Sequence, residues 1–529
     1  MKKLAVALVV LVAAGSWCVS PVEDLPRADF VLANGGEPRS LDPAFAVTTA
    51  DGRLARALFE GLVILVGPGP TPAPGAAESW TSTDDGRTWR FTLRADGRWS
   101  DGAPVVADDF VYAFRRLLDP ATGTRGGAFL LGLKGARAAF DAASRGPFDG
   151  DSVAVRALDA RTLELEFEHA FPSPLSLLAS PALAPVRRDV VERHGRRWPQ
   201  PGTCVSNGPF RLVARAVRDR IRMEKNPHYW DAANVALESF EALSYDNLTT
   251  SANLYFTDRA DWVTQLTPTT VEAVRRRRPE HLRIAPFYGT YFFRVNLGLK
   301  PFDVKKVRRA LDLALDREGL VRAVLAGGEA PAATYLPPRD GAERPPRRDV
   351  PLARRLLAEG LKEAGLDAMP PFELLHNASP EHILICELVQ AQWKEALGVV
   401  VTPGRMEQQA FLEAVRKRDY ALARGSWIAD YDDPLTFLDV FTSGDPNNQT
   451  TFAHARYDEI VLRALRTETD PARRKALVAE ASAILEDELP VIPVYRYVST
   501  NLLRPGVEGF FDNPLDVHYP KFFKPPRRP

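Results

Sequence analysis

Arg424–Gly425–Ser426–Trp427–Ile428–Ala429–Asp430–Tyr431–Asp432–Asp433–Pro434 places one acid directly after a small apolar and aromatic run. A carboxylate is poorly tolerated in such a setting, because an unpaired buried charge costs several kcal/mol even after relaxation. Asp430 therefore needs a cation, either an internal Arg or Lys such as Arg424, or a ligand. Asp432 and Asp433, neighbours just before Pro434, read as a solvated turn as readily as a pair of working carboxylates.

The chain around this run has 529 residues, too many for one ordinary core, so several folding units are expected. A hydrophobic share of 45% and a charged share of 26% describe a globular protein and exclude disorder over most of the chain. Lys plus Arg and Asp plus Glu both count 68, so no overall field draws in nucleic acid or an anionic membrane. No nucleic-acid partner is expected.

Residues 1–20 read as an export signal: Met1-Lys2-Lys3, an apolar run from Leu4 to Ala14, then Gly15 and Ser16. The apolar run is too short to span a bilayer. Cys18 leaves open a lipid anchor through an acylated cysteine, against which Trp17 stands where a small residue is wanted. Beyond it, Cys204 and Cys386 are compatible with one disulfide or with two separate thiols, and no CxxC pair or His/Cys cluster offers a metal site.

Strand and helix periodicities alternate along the rest of the chain. Phe30–Ala33 reads as a buried strand ended by Asn34-Gly35-Gly36, and Leu54 to Leu62 as a helix. Gly67 to Gly75 reads as a Pro- and Gly-rich loop. Alternation at Trp89, Phe91, Leu93 and at Leu163, Leu165, Phe167 predicts strands, with an intervening helix capped by Asp108. Phe210 with Leu212 and Ile221 with Met223 predict a two-stranded unit, and Tyr291 to Val295 an aromatic strand. Helices are expected from Asp303, over Leu352 to Ala364 and Ile383 to Leu397, and after Asp470-Pro471, where Pro occupies the first helical position. This is an α/β protein of several lobes.

Enzyme signatures are missing: no HExxH, GxSxG, Walker loop or GxGxxG occurs, and the eight His residues are scattered. Nothing in the residues supports an enzyme, although an exported hydrolase, a peptidase or glycosidase, stays open, and no cofactor is expected.

Read together, the blocks resemble the extracellular solute-binding proteins of family 5, in particular their oligopeptide-binding branch. The resemblance rests on an ordered series: Asn34-Gly35-Gly36-Glu37 with Ser40-Leu41-Asp42-Pro43, Leu58-Phe59-Glu60-Gly61-Leu62, Ala77-Glu78-Ser79-Trp80, and Trp99-Ser100-Asp101-Gly102 with Asp109-Phe110-Val111-Tyr112. It continues through Asn207-Gly208, Asn226-Pro227, Pro301-Phe302, Ala429-Asp430-Tyr431 and Pro493-Val494-Tyr495. It implies a type II periplasmic binding fold of cluster C, two hinged α/β lobes plus an additional lobe. Lobe I would comprise residues 30–59, 186–288 and 499–529, lobe II residues 60–185, and lobe III residues 289–498. It also implies a likeness to monomeric carriers that hand short peptides to the permease of an ABC importer; a murein peptide, an oligosaccharide or a metal chelate on the same fold is the alternative.

A carrier of peptides of many sequences binds what all peptides share, the extended main chain and two charged ends. By the resemblance, Asp430 meets the α-ammonium, and Arg424 with His382 the carboxylate of a tripeptide. Gly425, Ser426 and Trp427 would pair with the ligand backbone on one side, and Val47, Thr48 and Thr49 on the other. Trp427, Tyr112 and Tyr497 match residues lining side-chain pockets. The departures are as informative. Gly289 and Ile428 stand where related proteins place two facing cysteines. Arg294 replaces an acidic pocket residue, Gln408 a tryptophan, and Leu299 a lysine that meets longer peptides. Arg294 is expected to turn one pocket away from basic ligand side chains and toward acidic or neutral ones.

Overall fold

Of the 529 residues, the computed structural model describes 25–526 apart from 47, 84–85, 125, 172–173, 326 and 340–342. The export signal, the anchor at Cys18 and the role of Val47 lie outside the described residues.

The main sheet is built from β1 (Phe30–Gly35), β2 (Phe210–Ala216), β3 (Arg220–Lys225), β4 (Ser239–Ser244), β5 (Trp262–Thr264), β6 (Leu282–Val295), β7 (Phe372–Asn377), β8 (Val401–Met406), β9 (Leu422–Ile428) and β10 (Val491–Leu503). The two-residue strand Ala330–Pro331 joins β10 and completes eleven strands, in the order β8-β7-β9-β6-β10-β5-β1-β4-β3-β2. Most strands are short, but β6 and β10 have 14 and 13 residues and pair with each other at both ends. Leu282–Pro286 pairs with Val498–Leu502, and Thr290–Arg294 with Val491–Arg496, with a register shift between Pro286 and Thr290. A bulge of this kind bends and twists the ladder without cutting it.

The two ends of this ribbon serve different cores. The first core collects Phe30, Leu32, Trp99, Phe110, Leu163, Phe210, Phe240 and Phe523. The second collects Tyr291, Phe293, Val295, Ile385, Trp393 and Val494, and the third Phe292, Tyr335, Leu435, Tyr457 and Val491. Successive strand residues point to opposite faces, so Phe292 enters the third core while Tyr291 and Phe293 enter the second. Each fully buried aromatic contributes about 1.5–3 kcal/mol. Fully buried indoles in these cores find acceptors for their N–H groups; Trp393 donates to the Leu311 carbonyl at 2.9 Å.

Several expectations need correction. Gly67 to Gly75 is not a plain loop: Val63–Val66 pairs antiparallel with Thr71–Pro74, the chain reversing at Gly67–Pro70. Pro72 and Pro74 fit a two-stranded ribbon because each strand has an edge where no N–H is needed. The predicted helix at Leu54 to Leu62 is α1 (Thr49–Leu58), which starts earlier because Thr48 and Asp51 form a reciprocal capping box. Asp108 lies in the first turn of α2 (Ala107–Leu118), and the acid that reaches back to the cap backbone is Asp109. Cys204 and Cys386 are free thiols. The helix expected from Ile383 is α3 (Pro380–Leu397), and Asp470 caps α4 (Pro471–Glu488).

Candidate functional site

The inner edge of β9 pairs with β6 along its whole length, from Leu422↔Val295 to Ile428↔Gly289. On its outer edge β7 pairs only at Leu422 and Ala423, then ends at Asn377. From Arg424 to Ile428 the outer backbone edge therefore has no strand beside it among the described residues. An exposed strand edge is a template for an added strand. Gly425, Ser426 and Trp427 occupy that open edge.

Antiparallel register fixes where the side chains go. Arg424 is opposite Phe293 and Ser426 opposite Tyr291, whereas Gly425 is opposite Phe292 and Trp427 opposite Thr290. Arg424 thus lies on the face of the second core, with its guanidinium carbon 5.3 Å from the Tyr291 ring centroid. Its Nη2 donates a long 3.4 Å hydrogen bond to the Tyr497 hydroxyl. No described carboxylate lies within ion-pair reach of it, and its Nε is buried without a partner.

His382 stands in the first turn of α3, edge-on to Tyr291 at 5.6 Å between ring centroids. It is buried, not the surface residue a helix start suggests, and neither ring nitrogen has a partner. Burial, then the nearby Arg424 and His376, push its pKa down to about 3, so the imidazole is neutral. The Tyr291 hydroxyl and the Asn377 Oδ1 are also buried and unmatched. Native proteins leave few such groups, and each orphan costs about 1–3 kcal/mol. Arg424, His382 and Tyr291 together form a polar patch awaiting an acceptor or donor from outside.

On the opposite face, the Trp427 Nε1 and the Tyr335 hydroxyl are likewise buried without partners. Arg294 donates from Nη1 to the Arg424 carbonyl at 3.0 Å and lies over the Phe292 ring at 5.1 Å. A Cβ on Gly425 would meet that Nη1 at 2.4 Å and Phe292 Cε2 at 2.5 Å, so only glycine lets the guanidinium cover the strand there.

Beyond the strand, Ala429 N–H donates to the Tyr288 carbonyl at 2.7 Å, and the next residues cross from the third core to the first, against which Ala429 and Tyr431 pack. The site is therefore a seam between cores. Asp432 N–H donates to Ser176 Oγ at 2.8 Å across that seam. The three acids here are not equivalent. Asp432 pairs with Arg339, and Asp433 with Arg474 at 2.8 Å, so the expected solvated turn is instead an ion-paired one. Asp430 has only Thr436, whose hydroxyl lies 3.4 Å from Oδ2 and accepts from the Asp430 N–H at 3.1 Å. Asp430 is an exposed residue, not the buried one its sequence setting suggests, yet the protein packed around its carboxylate desolvates it and pushes its pKa up to about 6. Internal pairing with Arg424 is thereby overturned: Arg424 points into another subsite. Other buried charges have ion-pair partners, as in Arg53–Asp516 at 2.6 Å and Lys521–Glu60 at 2.9 Å.

The remaining candidates belong to the first core. Thr48 spends its hydroxyl on the cap of α1, and Thr49 is the first helical residue, outside any strand. Tyr112, half-buried on α2, has the Arg188 guanidinium 5.9 Å from its ring centroid, and no described contact joins it to the β9 edge. Gly289 and Ile428 are cross-strand partners, with Ile428 Cγ1 3.0 Å from where a Gly289 Cβ would be. Gln408 opens the helix Gln408–Lys417, and Leu299 is exposed. Tyr291, Tyr335, Asn377 and Thr436 were not anticipated, because burial without a partner leaves no trace in the sequence. Concavities of about 550 and 470 Å³, lined respectively by Leu357 with Leu361 and by Arg309 with Leu352, touch neither Arg424 nor Asp430. No described group of His, Cys, Asp and Glu is arranged to hold a metal ion.

Residues 71–449 match the model of the bacterial extracellular solute-binding proteins, family 5 (middle region). The chain is 33% identical over 542 residues to the periplasmic oligopeptide-binding protein OppA of Salmonella typhimurium, covering 98% of both chains. It is 35% identical over 508 residues to the probable deoxycholate-binding periplasmic protein YgiS of Escherichia coli, covering 94% of this chain and 93% of that one. Among solved structures, OppA of Haemophilus influenzae in complex with the peptide RPPGFSPFR superposes with a TM-score of 0.82 at 29% identity, over 95% of this chain and 100% of the other. With a family match across most of its length and full-length relatives above 30% identity, the chain belongs to the bacterial extracellular solute-binding proteins of family 5.

Proposed function

We propose that this protein captures short peptides along the open edge of β9 and delivers them to the permease of an ABC importer. One observation carries the reading: the edge lies between a lone anion, Asp430, and a lone cation, Arg424, neither of which has an internal counter-charge. A peptide main chain fills the unpaired edge, its ammonium supplies the cation for Asp430, and its carboxylate the anion for Arg424 and His382. Tyr497 and Trp427 wall the adjoining side-chain space, and Thr48, Thr49 and Tyr112 meet the ligand from the other side when the seam closes. The lobe assignment stays as the sequence suggests, with lobe III at residues 289–498; the separate cores supported by the two ends of the β6–β10 ribbon favour it. Among the described residues no helix is long and apolar enough to cross a membrane. We place the carrier outside the cytoplasmic membrane, as a monomer without cofactor or catalytic activity.

Titration calorimetry with a pool of tripeptides tests this: saturable binding without turnover is expected, and its loss on N-acetylation of the ligand identifies the ammonium contact. The relative named as a probable deoxycholate-binding protein favours a second reading, an apolar anionic solute held by Arg424 alone. That ligand leaves Asp430 uncompensated. Binding of deoxycholate with no binding of free tripeptides would replace the first reading by the second.

A further inference from the structure

Three charges face this seam without an internal partner, and a zwitterionic peptide neutralises only two of them. The third is Arg294. Its only described hydrogen bond runs to a neutral acceptor, the Arg424 carbonyl, and its charged neighbour is the like-charged Arg424. It stands on the face of β6 that carries Phe292, between Tyr335 and Tyr420, directly over Gly425 of the open edge. Tyr335 feels both Arg294 and Asp430, yet those two do not pair with each other. Buried cations such as Arg53 and Lys521 are paired with carboxylates. A desolvated guanidinium with spare donors and no anion is costly to keep unless something supplies one.

Resting on the peptide reading above, we infer that the ligand carries a second carboxylate, on a side chain next to Gly425, and that Arg294 binds it. The substrate class is then short peptides with one acidic side chain and a net charge of −1. Charge-assisted bidentate contact with a planar fork gives both affinity and discrimination, because a Lys side chain in the same place faces a fixed like charge.

Calorimetry on the full-length protein with Glu-Ala-Ala, Ala-Glu-Ala, Ala-Ala-Glu, their three Lys counterparts and Ala-Ala-Ala decides it. One Glu position is expected to bind roughly tenfold to a hundredfold more tightly than its Lys counterpart, the range for a hydrogen bond to a charged group. In Arg294→Gln that preference should vanish while Ala-Ala-Ala binding stays within a few-fold. In Arg294→Glu it should reverse toward Lys. Equal affinity for Glu and Lys at all three positions overturns the inference and leaves the peptide reading standing. Uniform weakening of every tripeptide in Arg294→Gln also overturns it, since Arg294 would then only hold the strand through the Arg424 carbonyl. Failure of all seven peptides to bind the wild type removes the peptide reading itself.

Discussion

At the scale of single residues, the contrast among Asp430, Asp432 and Asp433 carries the chemistry. Two of these acids have an arginine, and the one beside the open strand edge does not. Asp430→Ala is expected to cost several kcal/mol of tripeptide affinity, because it strips a desolvated ammonium of its counter-charge; unchanged affinity by calorimetry would refute the assignment. The pH dependence has a definite sign. Partial desolvation by the surrounding protein raises the free-state pKa of Asp430 to about 6, and a bound ammonium lowers it, so binding releases a proton below that value. Affinity should be level near neutrality and fall as pH drops through 6, approaching tenfold per unit. It should also fall as pH rises past about 8, where a peptide amine loses its proton. Without ligand the sign runs the other way: a raised carboxyl pKa means that stability is lost as pH rises from about 4 to 6. Asp430→Asn should therefore melt higher than wild type at neutral pH when no peptide is present, while binding worse; scanning calorimetry checks this.

At the scale of elements, β9 is the decisive strand and Gly425 its critical position. Gly425→Ala puts a methyl group against Arg294 and Phe292 at distances that force both to move. Overpacking of this kind costs typically about 1–3 kcal/mol, measurable as a lower urea midpoint with an unchanged slope. This element also shows what a sequence discloses and what it withholds. Alternation at Trp89, Phe91 and Leu93 gave the strand Thr88–Leu93 directly, and Asp470-Pro471 gave the start of α4, since both signals are local. The hairpin beside Gly67–Pro70 was missed because its prolines suit only a ladder with free edges, a fact of pairing and not of composition. Arg424, His382 and Asp430 were legible as candidates through resemblance. That Asp430 is unpaired while Asp433 is held by Arg474, 41 positions away, was not, because only the fold brings that arginine in.

At the scale of the whole molecule, the third core meets the first at the Asp432 N–H to Ser176 Oγ hydrogen bond and where the Arg339 guanidinium, paired with Asp432, lies 6.0 Å from the Tyr288 ring centroid. These contacts span the seam that a ligand must enter. Arg339→Ala should leave the cores intact and weaken peptide binding by no more than about 1 kcal/mol, the worth of a partly exposed ion pair. The loss should appear as faster dissociation in stopped-flow measurements. A slower association with unchanged dissociation would show that the pair forms before the ligand arrives.

The β6–β10 ribbon has a further consequence, in the order of synthesis. β10 sits in the sheet between β6 and β5, yet it is made almost last: Val295 ends β6, and Val491 begins β10 only after the 195 residues between them have been translated. Until Val491–Leu503 has emerged, Trp262–Thr264 lacks its neighbour on one side and the two halves of the sheet have nothing to join them. A nascent chain of this design cannot complete its central sheet early, since the closing strand pays for the longest loops in the molecule. For the exported carrier proposed above, that delay keeps the chain threadable until synthesis is nearly done.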